Sequence, residues 1–235
     1  MTRAGIVASV VVIAAAAVCV RLGFWQLDRL DERRARNAAL YGRMSAPPLS
    51  LGSVPADTSG VLSRRIVISG TYDEARSMVV AGRAHRGVPG VYVVTPLRLG
   101  SGAVLVERGW LPSPDGATVD LEPIARAGRQ TVEGLALPLL DTEETARMRP
   151  FQRIWLRHDT EMATQLPYET APFYVRALPD TARAVAYPRR LPPPELDEGS
   201  HLSYAIQWFS FAAIALIGWL SIALRSPLRQ DHPTR

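Results

Sequence analysis

The chain has 235 residues, a net charge of +5 and 27 basic residues, every one an arginine. Those arginines are spread along the chain, often beside Asp or Glu, rather than gathered into the stripe that tracks a nucleic-acid backbone. A single cysteine, Cys19, excludes a disulfide framework and a CxxC redox or metal site in this sequence.

Residues 6–22 read IVASVVVIAAAAVCVRL, with one charge, Arg21, at the end, where it can snorkel to an interface. The run sits at the short end of what a bilayer crossing needs, and Cys19 within it reads as a small apolar filler. A cleaved signal peptide is the rival reading, with Arg3 as its basic start. No A-x-A site followed by a polar start is evident. The chain instead continues as GFWQLDRLDERRARNAALYGRM, rich in helix formers and free of proline until Pro47. We therefore expect a membrane span over 1–22 running into a juxtamembrane helix over 23–46, with Trp25 at the interface.

The segment 47–187 reads as β-rich. RRIVISGTY (64–72), SMVVAG (77–82), GVYVVTPL (90–97), GAVLVERGW (102–110), QTVEGLAL (130–137), RIWLRH (153–158) and PFYVRAL (172–178) are short β-branched or aromatic runs. Gly, Pro and Ser clusters separate them. GSG at 100–102 reads as a hairpin turn. HDTEMATQL (158–166) reads as a short helix capped by Asp159 or Thr160, with Glu161 in its first turn. The expected fold is an antiparallel barrel or sandwich.

Residues 188–200, with Pro188, Pro192, Pro193 and Pro194, form an extended linker. A second span covers 201–224, long enough to cross with some tilt, and 225–235 form a basic tail. Two spans place both termini on one side. Arg225 and Arg229 favour a cytoplasmic tail, whereas Arg29, Arg33, Arg34 and Arg36 after the first span argue the opposite. Long translocated domains escape the charge rule, so the expectation is a multi-pass protein of the inner (plasma) membrane with its middle outside the cytoplasm. The fold class is then a membrane protein, α+β, with two transmembrane helices bracketing a β-rich extracytoplasmic domain.

No GxSxG, phosphate-binding glycine loop or HExxH is present. His85, His158, His201 and His232 are too scattered for a metal cluster of known spacing. His158–Asp159 reads as a strand end followed by a helix cap, and Glu143–Glu144 as a solvated face. An enzyme is not expected; that class would need a buried acid–base pair in the β domain. The second span is the unusual part. At ~100° per residue, His201, Tyr204, Trp208 and Phe211 fall within about 80° of one another, with Ser203, Gln207 and Ser210 alongside. One reading is an interfacial belt of aromatics with His201 solvated. The other is a contact face for a membrane helix, or for a flat apolar ligand held by an imidazole, a description that suits haem. Arg29 admits two partners, lipid headgroups or a carboxylate such as a haem propionate.

Three blocks carry a family resemblance. LGFWQLDRLDERR (22–34) resembles the Leu-Gly-x-Trp-Gln-x-x-Arg signature of the Surfeit locus protein 1 family. RGVPGVYVVTPL (86–97) with GAVLVERGWLP (102–112) resembles its central block, and HLSYAIQWFSFA (201–212) its C-terminal block. Trp25, Gln26 and Arg29 match the first block, Arg108, Gly109 and Trp110 the second, and Tyr204, Gln207 and Trp208 the third. Glu107 stands where many members carry Asn, and Arg33 where a Lys is usual. Residues 115–153 match no block. The resemblance implies an assembly factor for a haem-copper terminal oxidase, chiefly cytochrome c oxidase, that helps place haem a in the catalytic subunit. It implies that catalytic subunit and the haem a synthesis machinery as partners, and transient haem a as the cofactor. By the same resemblance His201 is the candidate ligand of haem iron, with Trp25, Gln26, Arg29, Tyr204, Gln207 and Trp208 around the group. A scaffold that grips a nascent oxidase subunit without binding haem remains the alternative.

Overall fold

The computed structural model describes residues 3–55, 57–140, 151–179, 187–193 and 195–225. Pro194, Glu143–Glu144, His232 and all but the first residue of the tail lie outside them. The chain divides into two compact units, Met1–Ala39 with Leu196–Arg235, and Leu40–Glu195.

The first unit is a pair of antiparallel helices drawn from α1 (Arg3–Ser45) and α3 (His201–Arg225). No proline or paired glycine interrupts α1, so the apolar stretch and the charged stretch after it form one rod. The buried residues of α1 are Ala16, Gly23 and Leu30, seven apart; those of α3 are Ala205 and Ala212, again seven apart. A seven-residue repeat keeps one seam facing the partner helix. At Gly23 the missing side chain leaves a notch for a partner side chain: a Cβ there would lie 2.6 Å from the Phe209 ring, which occupies it. Phe24 meets Phe209 edge to face, 5.4 Å between centroids, a pairing worth about 0.5–1.5 kcal/mol beyond its buried area. Outside the charged stretch of α1 the remaining surface is mostly apolar and exposed, including Ile6, Val10, Ile13, Ile214, Ile217 and Leu220. Both α1 and the stretch His201–Leu224 are long and apolar enough to cross a membrane.

In the second unit, the described strands form one eight-stranded sheet. They are β1 (Leu49–Leu51), β2 (Arg65–Tyr72), β3 (Met78–His85), β4 (Val88–Arg98), β5 (Ala103–Pro112), β6 (Arg129–Pro138), β7 (Ile154–Trp155) and β8 (Thr170–Ala177). The order is β1-β2-β6-β8-β5-β4-β3-β7. β2 also pairs with β4 through Thr71↔Arg98 and Tyr72↔Leu97, which closes β2, β6, β8, β5 and β4 into a barrel-like ring. Ile66, Ile68, Val104, Val106, Val132 and Phe173 fill its interior. A second core lies outside the ring, where Met162 and Leu166 around the short helix α2 (Thr160–Thr164) cover Met78, Val80, Leu105 and Tyr174. β5 is therefore covered on both faces and buried from Ala103 to Leu111, which is why it reads as a near-continuous apolar run rather than an alternating one.

All seven runs expected as strands contain one. The GSG turn is present, with the Leu99 amide donating to the Gly102 carbonyl at 3.1 Å. Asp159 caps α2 by accepting from the Glu161 amide at 3.1 Å. Three features depart from the expectation. The sheet is mixed rather than antiparallel: β8 runs parallel to β5, β1 to β2, and β7 to β3. β8 can do so because the chain crosses through β7 and α2 before returning. RIWLRH contributes two strand residues only, and β1, three residues behind a Pro-Pro pair, is too short to show a period.

Candidate functional site

His201 is the first residue of α3 and half-buried. Its Nδ1 lies 2.8 Å from Oε1 of Gln26 on α1. The turn before it is tied to the polar half of α1. The Asn37 amide donates to the Asp197 carbonyl at 3.1 Å, Arg33 Nε to the same oxygen at 3.1 Å, and Arg34 to Glu198 Oε2 at 3.1 and 3.0 Å. With Phe209 seated against Gly23 below, α3 is held along α1 on both sides of the histidine.

Of the residues singled out in the sequence, His201 and Gln26 are brought together. Trp208 is half-buried and meets Phe211 edge to face at 6.0 Å. Tyr204 and Gln207 are exposed, turned from the seam. Trp25 and Arg29 form their own pair, the guanidinium 5.7 Å from the indole centroid. Arg29 Nη1 also donates to Glu32 at 2.6 Å, an exposed ion pair. Trp25 lies two residues from Gly23, hence on the far side of α1 from the seam at ~100° per residue. The aromatic stripe inferred from the sequence is thus rotated from the packed face, whose centre is Ala205 and Ala212. The seven-residue spacing of small residues was the signal that could have placed it.

The central block has a different job. Val94 pairs with Glu107 and Val93 with Gly109, so Arg108 is the extra residue of a β-bulge. The bulge aims its guanidinium inward, where it is 5% exposed. Nη1 donates to both Glu74 carboxylate oxygens at 3.0 and 2.8 Å, Nη2 donates to the Ile124 carbonyl, and the group lies 4.5 Å over the Tyr72 ring. Gly109 has φ +140°, and a Cβ there would lie 2.6 Å from the Arg189 carbonyl oxygen. That close approach lets Trp110 and Arg189 exchange two backbone hydrogen bonds, each 2.8 Å, and seats the start of the linker on the domain.

Sequence reasoning missed a buried ionic cluster. Glu107, its side chain 3% exposed, receives Arg176 Nε at 2.6 Å and Nη2 at 3.2 Å, while His158 Nε2 lies 2.8 Å from its other oxygen. The His158 approach has the distance of a polar contact without the alignment of a hydrogen bond. His158 stacks on Tyr174, 4.0 Å between centroids and 7° between planes. Burial pushes the Glu107 carboxyl up, but His158 and Arg176 outweigh it and hold it below its ordinary value. Burial, aided by Glu107, pushes the Tyr174 phenol up to about 12. Here is the buried acid–base pair that an enzyme reading needed. Arg176 and the Tyr174 ring already engage both partners, and the cluster joins β5, β8 and the start of α2. Among the described residues, no group of three His, Cys, Asp or Glu side chains could hold a metal ion.

Two apolar antiparallel helices joined in sequence by a barrel-like β domain, with a histidine held by glutamine at the helix seam, define the class of architecture. A family model described as the SURF1 family matches residues 13–213. The chain belongs to the SURF1 family, as its three sequence blocks implied. It is 27% identical to a SURF1-like protein of Monosiga brevicollis, with 91% of this chain and 88% of that one covered. It is 26% identical to a SURF1-like protein of Rickettsia felis, covering 89% and 93%. It is 28% identical to an uncharacterized SURF1-like protein of Mycobacterium tuberculosis, covering 89% and 80%.

Proposed function

We propose that the protein is an assembly factor for a haem-copper terminal oxidase, cytochrome c oxidase in particular, and that it assists placement of haem a in the catalytic subunit. In this reading both helices cross the cell membrane, both termini are cytoplasmic, and the β domain is extracytoplasmic. Family membership and the exposed apolar flanks of α1 and α3 support it; helices apolar around most of their surface suit lipid. The observation that carries the haem reading is the contact between His201 and Gln26, which joins the first and third family blocks at one imidazole.

The residues at hand suit the group. Bound haem would supply an iron that takes an imidazole and propionates that take cations. His201 would be the iron ligand. Trp208 offers a half-buried aromatic surface on the same helix, and Tyr204 and Gln207 are exposed and free to reach polar substituents. Arg29 is engaged by Glu32, yet an exposed pair of this kind is worth only about 0–1 kcal/mol, so exchange for a propionate costs little. The partners are the oxidase catalytic subunit and the haem a synthesis machinery, and the role needs no catalysed reaction.

One observation favours the scaffold alternative. Tyr204, Gln207 and Phe211 are exposed away from α1, and polar groups at membrane depth usually face protein. A strain lacking the chromosomal copy separates the two readings. Complementation with His201→Ala or His201→Gln should lower the haem a content per oxidase under the haem reading. Normal content in both variants would overturn it.

A further inference from the structure

The His201 ring is held through one nitrogen only. Nδ1 faces Gln26 Oε1 at 2.8 Å, and an amide oxygen accepts hydrogen bonds but cannot donate them. Nδ1 must therefore carry the proton. In a neutral imidazole the other nitrogen then holds the lone pair. Among the described residues Nε2 takes no hydrogen bond, and its edge lies beside Gly199. Gly199 has φ +76°, and a Cβ there would stand 3.4 Å from Cδ2 and 3.6 Å from Nε2.

We infer that Gln26 is a positioning residue that holds His201 as the Nδ1–H tautomer and presents Nε2 as the ligating atom. The assignment rests on the haem reading above for what Nε2 meets; the tautomer itself rests on the Gln26 contact. Imidazole side chains in water favour the opposite tautomer, so the arrangement has to be imposed. The frame around it is suited to impose it. Phe209 in the Gly23 notch and the Arg33, Arg34 and Asn37 contacts to 197–198 fix the start of α3 against α1. Donation from Nδ1–H to a carbonyl-type oxygen also raises the basicity of Nε2, the usual outer-shell device for a metal-bound histidine. Gln26 thus acts through His201 and need not touch the bound group.

The test uses the full-length protein in detergent, free of haem, with ¹⁵N-labelled histidine, the His201 signals being identified by their loss in His201→Gln. The wild type should show Nδ1 protonated and Nε2 bare. Gln26→Leu, close in volume but without an acceptor, should shift the ring toward Nε2–H. Gln26→Glu, which keeps the acceptor, should keep Nδ1 protonated. Haem a titration of the same proteins should show affinity falling about 10- to 100-fold in Gln26→Leu and retained in Gln26→Glu. A wild-type ring protonated at Nε2 or at both nitrogens, or a tautomer indifferent to Gln26→Leu in a protein of unchanged circular dichroism, would overturn the inference. The expected tautomer in a wild type that binds no haem a would support the role of Gln26 and overturn the haem reading.

Discussion

Glu107 is a carboxylate taken out of water and repaid by two neighbours. Burial alone would favour its neutral form, but Arg176 and His158 reverse that and hold its proton affinity below the ordinary range. A carboxyl depressed in the folded state stabilises at pH above its unfolded value, and that contribution disappears as pH falls through the folded value. Glu107→Gln should therefore destabilise the domain at neutral pH by roughly 3 kcal/mol, the scale for stranding a buried charge. The gap between wild type and variant should narrow below about pH 4. Urea unfolding followed by tryptophan fluorescence across this range checks it; a gap that stays constant with pH would mean that the carboxylate is not held ionised. Little of this was legible in GAVLVERGW. Both faces of β5 are covered, so a buried Glu and a buried Arg sit in it without breaking any alternation. The bulge that aims Arg108 at Glu74 has no short-range signature beyond the glycine that follows it. The cap at Asp159 was legible, because a side chain bonding its own backbone two residues on is a local event.

Local periodicity carried most of the fold at the level of the elements, and tertiary choice accounts for what it missed. The apolar run, the absence of proline before Pro47 and the helix formers between them made α1 readable as one rod. The face of α3 turned to α1 is not legible in the sequence: His201, Tyr204, Trp208 and Phe211 read as an interfacial belt or as a contact face for another membrane helix or a ligand, and the buried line of Ala205 and Ala212 lies beside them. The parallel β5–β8 pairing depends on a crossover through α2 and cannot be read from the strands. Gly23 offers the sharpest test of the helix pair. Gly23→Leu places a branched side chain where even a Cβ meets the Phe209 ring, and overpacking of this kind costs about 1–3 kcal/mol. α3 should swing from α1, and a short bis-maleimide joining cysteines placed at 34 and 198 in a Cys19→Ser background should crosslink far less than with Gly23 retained. Equal crosslinking would show that the notch does not set the helix spacing.

For the molecule as a whole, the β domain supplies a body with its own buried cores, and the helix pair carries the contact on which the haem proposal rests. The division matches where the family blocks fall. The central block of Arg108, Gly109 and Trp110 is spent on a bulge, a buried cation and a seat for the linker, whereas the terminal blocks meet at His201 and Gln26. The sequence holds no recognised catalytic motif; the aromatic stripe beside His201 suits haem as one of two readings, and the family resemblance specifies haem a. The haem reading is met most directly by an optical spectrum. The full-length protein and its His201→Ala variant should be purified in detergent from a host that makes haem a. The account predicts a haem a spectrum in the wild type and its loss in the variant, with Tyr204, Trp208 and Gln26 unchanged. Haem a bound equally by both proteins, or by neither, would contradict it.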